Sequence, residues 1–110
     1  MPNQDQDNTL QEIMKRLKDE FHPEKAYLFG SRARGDNAPD SDYDLLLVVE
    51  DSSVGRLDRM EQASEVLHDL EASVNVFVYT RKEFEEWKDE FSSIPETALR
   101  EGREILIEAK

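Results

Sequence analysis

Residues 28–49 read LFGSRARGDNAPDSDYDLLLVV, and this stretch decides both the fold and the position of the polar residues. An apolar run ends at Gly30, a polar loop follows, and a second apolar run begins at Leu45. The second run is apolar at five consecutive positions, which is typical of a central strand covered on both faces. Two acids, Asp42 and Asp44, stand at its head. A globular domain has little structural use for acids at the mouth of a buried strand, so they indicate a functional site.

Asp42 and Asp44 are two residues apart, and side chains at that spacing in a strand point to the same face. Neighbouring carboxylates repel each other unless a cation lies between them. Such hard oxygen ligands suit Mg²⁺, which is typically shared with substrate phosphates, and two metal ions could align an attacking hydroxyl with an α-phosphorus. The alternative is that Asp40, Asp42 and Asp44 belong to a polar loop that caps the strand. Because an apolar strand follows directly, metal binding is the favoured interpretation.

Gly30 and Ser31 form the second candidate feature. A glycine at a strand end lets backbone amides approach a ligand, and a helical turn that starts at Ser31 aims free N–H groups at an anion. Arg32 and Arg34 bring permanent positive charge suited to phosphate oxygens. Taken alone, these residues fit an ordinary strand-to-helix turn with solvated arginines equally well. The segment is not a P-loop, because Gly35 is not followed by Lys and Ser or Thr.

Apolar spacing and turn residues predict the element order α-β-(turn)-β-α-β-α-α-β. The predicted strands are 26–29, 43–49, 74–79 and 104–108. Two helices are predicted by apolar stripes at helical spacing: Leu10, Ile13, Met14, Leu17 and Phe21 in the first, and Leu57, Met60, Ala63 or Ser64, Leu67 and Leu70 in the second. Asn8 or Thr9 is the predicted cap of the first helix. Pro95 and Gly102 are expected to begin and end the last helix.

Thr80 and Glu83 have capping-box spacing and predict the start of the third long helix. Its aromatic residues Phe84, Trp87 and Phe91 are expected in the core, although part of that stripe could face a partner. The acids of this helix, Glu83 among them, are expected to form a solvated face.

The 110 residues allow one domain, and we expect a flexible tail, residues 1–8, followed by a domain over residues 9–110. The pattern predicts an α/β (α+β) fold with a small mixed β-sheet and flanking helices. A net charge of −12 disfavours duplex nucleic acid as a partner. No apolar run approaches the ~20 residues needed to span a membrane, the N-terminus is not a signal peptide, and cysteine is absent. A cytoplasmic location is therefore expected.

The Gly30-Ser31 pair, ten intervening residues and Asp42-Tyr43-Asp44 resemble the signature of the nucleotidyltransferase superfamily that includes DNA polymerase β. The compact Gly-Ser-Arg-Ala-Arg-Gly form and the short chain are most similar to the minimal nucleotidyltransferases of bacteria and archaea, many of which act as antitoxins.

The resemblance implies ATP-dependent nucleotidyl transfer, usually of AMP, with Mg²⁺ held by Asp42 and Asp44. It implies that Gly30 and Ser31 hold the β- and γ-phosphates, with Arg32 or Arg34 assisting. Many members of this group pair with a helical protein that has RNase-toxin activity, and in characterised cases they adenylylate that toxin. A helical toxin-type protein partner is therefore expected here.

Asn75 departs from the pattern of the family. The third carboxylate of the family lies on the next core strand, and Asn75, between Val74 and Val76, occupies that position. An amide oxygen can ligate a metal ion but cannot accept a proton, and losing a base can cost ~10²–10⁴-fold in rate. A misaligned register could also have assigned Asn75 to this position, or the asparagine could be a substitution introduced to trap a complex.

Three hypotheses follow. The first is an enzyme that transfers AMP from Mg-ATP to a protein partner as an antitoxin, with Asp42, Asp44 and Asn75 at its catalytic centre. The second is a nucleotide-binding interaction protein whose catalysis is impaired by Asn75 and which acts by stoichiometric binding. The third, transfer to a small molecule such as an aminoglycoside, normally requires an additional substrate-binding domain or subunit.

Overall fold

The computed structural model describes residues 7–107 and confirms the predicted order of elements. The helices are α1 (Asn8–Phe21), the single turn α2 (Ser31–Arg34), α3 (Arg56–Leu67), α4 (Arg81–Trp87) and α5 (Ile94–Glu101). The strands are β1 (Lys25–Phe29), β2 (Tyr43–Val49), β3 (Val74–Thr80) and β4 (Arg103–Ile105). β4 is shorter than the predicted strand 104–108, whose last residue lies outside the described part of the chain.

The four strands form one mixed sheet in the order β3-β2-β1-β4. β1 is antiparallel to β2 and β4, whereas β2 and β3 are parallel. The register places Asp44 between Phe29 of β1 and Asn75 of β3. The end of β1 and the starts of β2 and β3 therefore meet at one end of the sheet.

The central strand β2 is covered on both faces, as its sequence predicts. Leu45 and Leu47 belong to a core cluster formed with α1 and α3, while Leu46 and Val48 belong to a second cluster formed with α4 and α5. Burial of each leucine contributes about 1.5–3 kcal/mol. Asp44 precedes this run directly, so its backbone is held by a strand that is buried on both faces.

The cap of α1 is Asp7, and the prediction of Asn8 or Thr9 is wrong. The Asp7 carboxylate accepts the backbone N–H of Leu10 at 3.1 Å and the hydroxyl of Tyr43 at 2.8 Å. This second partner, from the head of β2, favours the earlier residue. The predicted tail thus overlaps the first helical turn, and its residues 1–6 lie outside the described part of the chain.

The inward stripe of α3 differs from the prediction, because Leu57 is 81% exposed and Arg59 is only 3% exposed. The Arg59 guanidinium donates to the carbonyl oxygens of Val78 at 2.6 Å and Val54 at 3.1 Å. It also donates to both carboxylate oxygens of Glu83, at 2.8 and 3.0 Å. A buried charge satisfied by four hydrogen bonds fills the place expected for an apolar side chain. Leu70 lies beyond the end of the helix.

The capping box at the start of α4 is confirmed, with Thr80 and Glu83 bonded reciprocally. The expectation that Glu83 is solvated is wrong, since it also pairs with Arg59. Phe84 is buried, whereas Trp87 is 42% exposed, and Phe91, which lies beyond the end of the helix, is 79% exposed. Only Phe84 of the predicted aromatic stripe therefore belongs to the core.

The Arg59–Glu83 pair predicts a pH-dependent stability. The hydrogen bonds from Arg59 lower the pKa of Glu83 from its usual 4.5 to about 2. A carboxylate with a lowered folded pKa contributes stability above its unfolded pKa and loses that contribution as the pH falls through the folded pKa. We expect this pair to account for about 2–3 kcal/mol of the free energy of unfolding that is lost between about pH 5 and pH 2, measured by urea unfolding.

Glu83→Gln should flatten that part of the pH dependence, and at pH 7 it should cost about the same 2–3 kcal/mol, because, like protonation of Glu83, it leaves the buried Arg59 without its counter-charge. The matched control is Glu85→Gln, on the exposed side of the same helix. If both variants lose stability with the same pH profile as the wild type, the Arg59–Glu83 pair is not the source of this pH dependence.

No helix within residues 7–107 is long and apolar enough to cross a bilayer.

Candidate active site

Asp42, Asp44 and Asn75 form one cluster at the end of the sheet where β2 and β3 begin. The Asn75 amide nitrogen donates to Asp44 Oδ1 at 2.9 Å and to Asp42 Oδ2 at 3.2 Å. Asn75 is the register partner of Asp44, and its side chain lies against both acids. The three polar residues singled out in the sequence are thus brought together.

Asn75 contributes two N–H donors where a third acid would contribute a charge. Its amide lies against both carboxylates and partly offsets their mutual repulsion. An ionised aspartate at this position has no donor and makes neither bond. Asp42 and Asn75 are exposed and Asp44 is half-buried, so the cluster opens to solvent.

Gly30 packs its backbone directly against the carboxylate of Asp44. A Cβ atom on Gly30 would lie 2.2 Å from Asp44 Oδ2, which leaves no room for any side chain. The backbone of Gly30, with φ 76° and ψ −160°, is also open only to glycine. The turn that presents Ser31 is therefore fixed beside Asp44, and the two halves of the sequence motif meet here.

Arg32 and Arg34 are engaged within the protein on either side of this turn. Arg32 donates to the carbonyl oxygens of Ser41 and Pro39, each at 3.0 Å, and its guanidinium lies 4.0 Å from the ring centroid of Tyr43. It ties α2 to the loop that leads into Asp42. This positioning role is not visible in the sequence.

Arg34 makes an ion pair with Asp36 at 3.2 Å and another with Glu101 at 3.0 Å. These bonds join the turn to the end of α5. A phosphate-binding role for Arg34 requires that it exchange these carboxylates for phosphate oxygens.

Tyr43, between the two acids, is the residue of the motif whose packing role sequence reasoning missed. It points to the opposite face of β2, where it is buried and donates to Asp7. Burial and this hydrogen bond raise the pKa of the Tyr43 phenol. The alternation Asp-Tyr-Asp is the signal that could have assigned it to the core, since the middle residue of such a triplet faces away from the other two.

The donor set fits a magnesium ion that takes its remaining ligands from substrate. Within residues 7–107 no group of three or more His, Cys, Asp or Glu side chains is arranged to hold a metal ion. Two carboxylates plus phosphate oxygens and water are a common Mg²⁺ arrangement. Asn75 could join only by turning its oxygen, in place of its nitrogen, toward the ion.

Comparison with known proteins gives a consistent result. The family model described as a nucleotidyltransferase domain matches residues 10–105. A solved protein of Sulfolobus solfataricus, assigned as a nucleotidyltransferase, is 31% identical, with 72% of this chain and 70% of that chain covered and a TM-score of 0.57. No significant relative was found among curated proteins.

Two further solved structures share the fold at 20% identity. One is a variant of the MntA–HpeT toxin–antitoxin, with 88% of this chain and 71% of that chain covered and a TM-score of 0.59. The other is an Enterococcus spectinomycin adenyltransferase with ATP and spectinomycin, with 99% of this chain and 58% of that chain covered and a TM-score of 0.55.

Proposed function

Because the chain belongs to the nucleotidyltransferase domain family, we propose that it transfers AMP from Mg-ATP to a protein partner, as the antitoxin of a toxin–antitoxin pair. The observation that carries the proposal is the contact of Gly30 with Asp44, which puts the turn that begins at Ser31 beside the acids at the head of β2. The likeness in fold to the MntA–HpeT toxin–antitoxin supports a toxin-type protein partner.

The acids of the cluster and the turn at Gly30 and Ser31 have separate roles in this proposal. Asp42 and Asp44 would hold Mg²⁺, which supplies charge neutralisation on the phosphate oxygens. Gly30 and Ser31 offer backbone and hydroxyl donors to the outer phosphates.

In the reaction, an acceptor hydroxyl oxygen forms a bond to the α-phosphorus, the bond to the bridging oxygen breaks, and pyrophosphate leaves. Within the cluster only Asp42 and Asp44 can take up the hydroxyl proton, because the amide of Asn75 has no basic atom.

A second function is favoured by Asn75. With the amide bridging both carboxylates, the fold and nucleotide binding are compatible with slow turnover. The protein would then neutralise its partner by stoichiometric binding.

The test is incubation with ATP labelled at the α-phosphate, Mg²⁺ and the protein encoded by the adjacent gene. Label on that protein, lost when Mg²⁺ is chelated, is the expected result. A parallel reaction with spectinomycin tests a small-molecule acceptor. If neither acceptor is labelled, the transfer activity is refuted, and a stable complex of the two proteins then supports the second function.

Gly30→Ala should weaken Mg-ATP binding by about 10–100-fold, because the new methyl group displaces the Asp44 carboxylate and the backbone strain is of order 1–3 kcal/mol. Calorimetric titration with a non-hydrolysable ATP analogue measures the change. Gly35→Ala is the matched control, since Gly35 also has a positive φ of 85° but its added Cβ meets nothing within 4 Å. Equal losses in the two variants would show that strain, and not the contact with Asp44, is responsible.

A further inference from the structure

The pairing of β3 with β2 defines which backbone groups of β3 point to the outer edge of the sheet. Tyr43 pairs with Val74, and the N–H of Tyr43 donates to the carbonyl of Ser73 at 2.9 Å. Alternate residues of a strand direct their backbone groups to opposite sides. Asn75 therefore turns its N–H and C=O toward β2, while Val74 and Val76 turn theirs outward.

The second half of this edge is already covered. The carbonyl of Val78 accepts from Arg59 at 2.6 Å, and the N–H of Thr80 donates to Glu83 at 2.9 Å. Both bonds confirm that the even-numbered residues face outward. No comparable partner within residues 7–107 covers the outward groups of Val74 and Val76. An edge with open backbone groups is a template for one more strand.

A cleft of about 390 Å³ runs beside the open half of the edge. It is lined by α3 and β3: Leu57, Met60, Glu61, Ser64 and the segment 74–77. Asn75 lines this cleft and also donates to Asp42 and Asp44, so the cleft and the candidate active site share this residue. Leu57, which its helical spacing predicted to lie in the core, lines this cleft and is 81% exposed.

We propose that an extended segment of the acceptor protein docks along Val74 and Val76 as an additional strand and brings its hydroxyl to Asp42 and Asp44. This inference rests on the proposed function. Side chains alternate along such a strand, so those facing α3 cover Leu57 while those between them lie on the Asn75 face. The recognised segment therefore has apolar residues on both sides of the hydroxyl-bearing residue.

Charge further defines the segment. The exposed side of α3 carries Asp58, Glu61 and Glu65. Of the two cations of this helix, Arg59 is paired with Glu83, and Arg56 lies over the ring of Tyr79 at 4.9 Å. Basic residues flanking the apolar positions complement this surface.

The test compares Leu57→Arg with Leu99→Arg, the same change at a leucine of α5 that is 46% exposed. Both variants add one positive charge at a site that packing does not need. With the adjacent-gene protein as acceptor, we expect Leu57→Arg to raise the KM for that protein at least about tenfold, a change of ~1.4 kcal/mol, while the KM for ATP stays the same. Leu99→Arg should change neither constant.

The outcomes separate this inference from the function on which it rests. Transfer by the wild type with an unchanged acceptor KM in Leu57→Arg overturns the docking site and leaves the transferase intact. If no label is transferred, amide hydrogen exchange measured by NMR tests docking at the β3 edge directly. Slower exchange at Val74 and Val76 on mixing the two proteins supports docking at the β3 edge, and unchanged exchange overturns it.

Discussion

Asp44→Asn should lower the rate of nucleotidyl transfer by about 10²–10³-fold, which corresponds to the several kcal/mol that a bound metal ion contributes to the transition state. The substitution keeps the shape of the side chain against Gly30 and keeps an oxygen to accept from Asn75. It removes one of the two carboxylates proposed to hold Mg²⁺. Because it also removes a like-charge repulsion with Asp42, the free energy of unfolding should not fall.

The matched control is Asp40→Asn, which makes the same chemical change on an exposed loop residue. Label transfer and urea unfolding are measured on both variants. The prediction is contradicted if Asp44→Asn keeps more than about a tenth of the wild-type rate, or if the rate falls only in proportion to lost stability. The first result would remove Asp44 from the metal site, and the second would make its role structural.

Much of the fold can be predicted from sequence where a single local pattern leaves one solution. The strand 43–49 is predicted to the residue, because an unbroken apolar run bounded by acids has no amphipathic alternative. The capping box at Thr80 is likewise a local signal and is confirmed. The family resemblance, and not a local pattern, implies that Asn75 lies on the strand next to Asp44, and the register pairs the two residues.

What sequence reasoning misses depends on long side chains that find distant partners. Helical spacing marks Leu57 as a core residue, yet Arg59 takes the inward position because Glu83 lies 24 residues further along and pairs with it. The Asp7 cap likewise depends on Tyr43, which is 36 residues away. Periodicity defines which face a residue occupies, but it carries no information about partners across the fold.

If Asn75 limits catalysis, as the second function requires, Asn75→Asp should raise the rate of transfer by about 10²–10⁴-fold, the usual contribution of a positioned base. The register holds residue 75 opposite Asp44, so a carboxylate there adds a charge and a proton acceptor at a position the fold already provides. The rate is measured by label transfer to the adjacent-gene protein. Asn37→Asp, the same change in the loop before Asp42, is the control and should have no effect.

In the absence of metal, Asn75→Asp should lower the free energy of unfolding. The two hydrogen bonds from the Asn75 amide are lost and three carboxylates crowd one end of the sheet, which we expect to cost about 1–3 kcal/mol. Mg²⁺ should restore that loss, because an ion that binds only the folded state stabilises it. The thermal shift on adding Mg²⁺ should therefore be larger for Asn75→Asp than for the wild type.

Together the two measurements decide between the proposed functions. A large gain in transfer with a larger Mg²⁺ shift means that Asn75 limits catalysis in the natural chain, which favours neutralisation of the partner by binding. An unchanged and already substantial rate means that Asp42 and Asp44 suffice, and it excludes the impaired form. A larger Mg²⁺ shift without a faster rate would place residue 75 in the metal site but remove it from the proton transfer, leaving Asp42 and Asp44 as the acceptors of the proton.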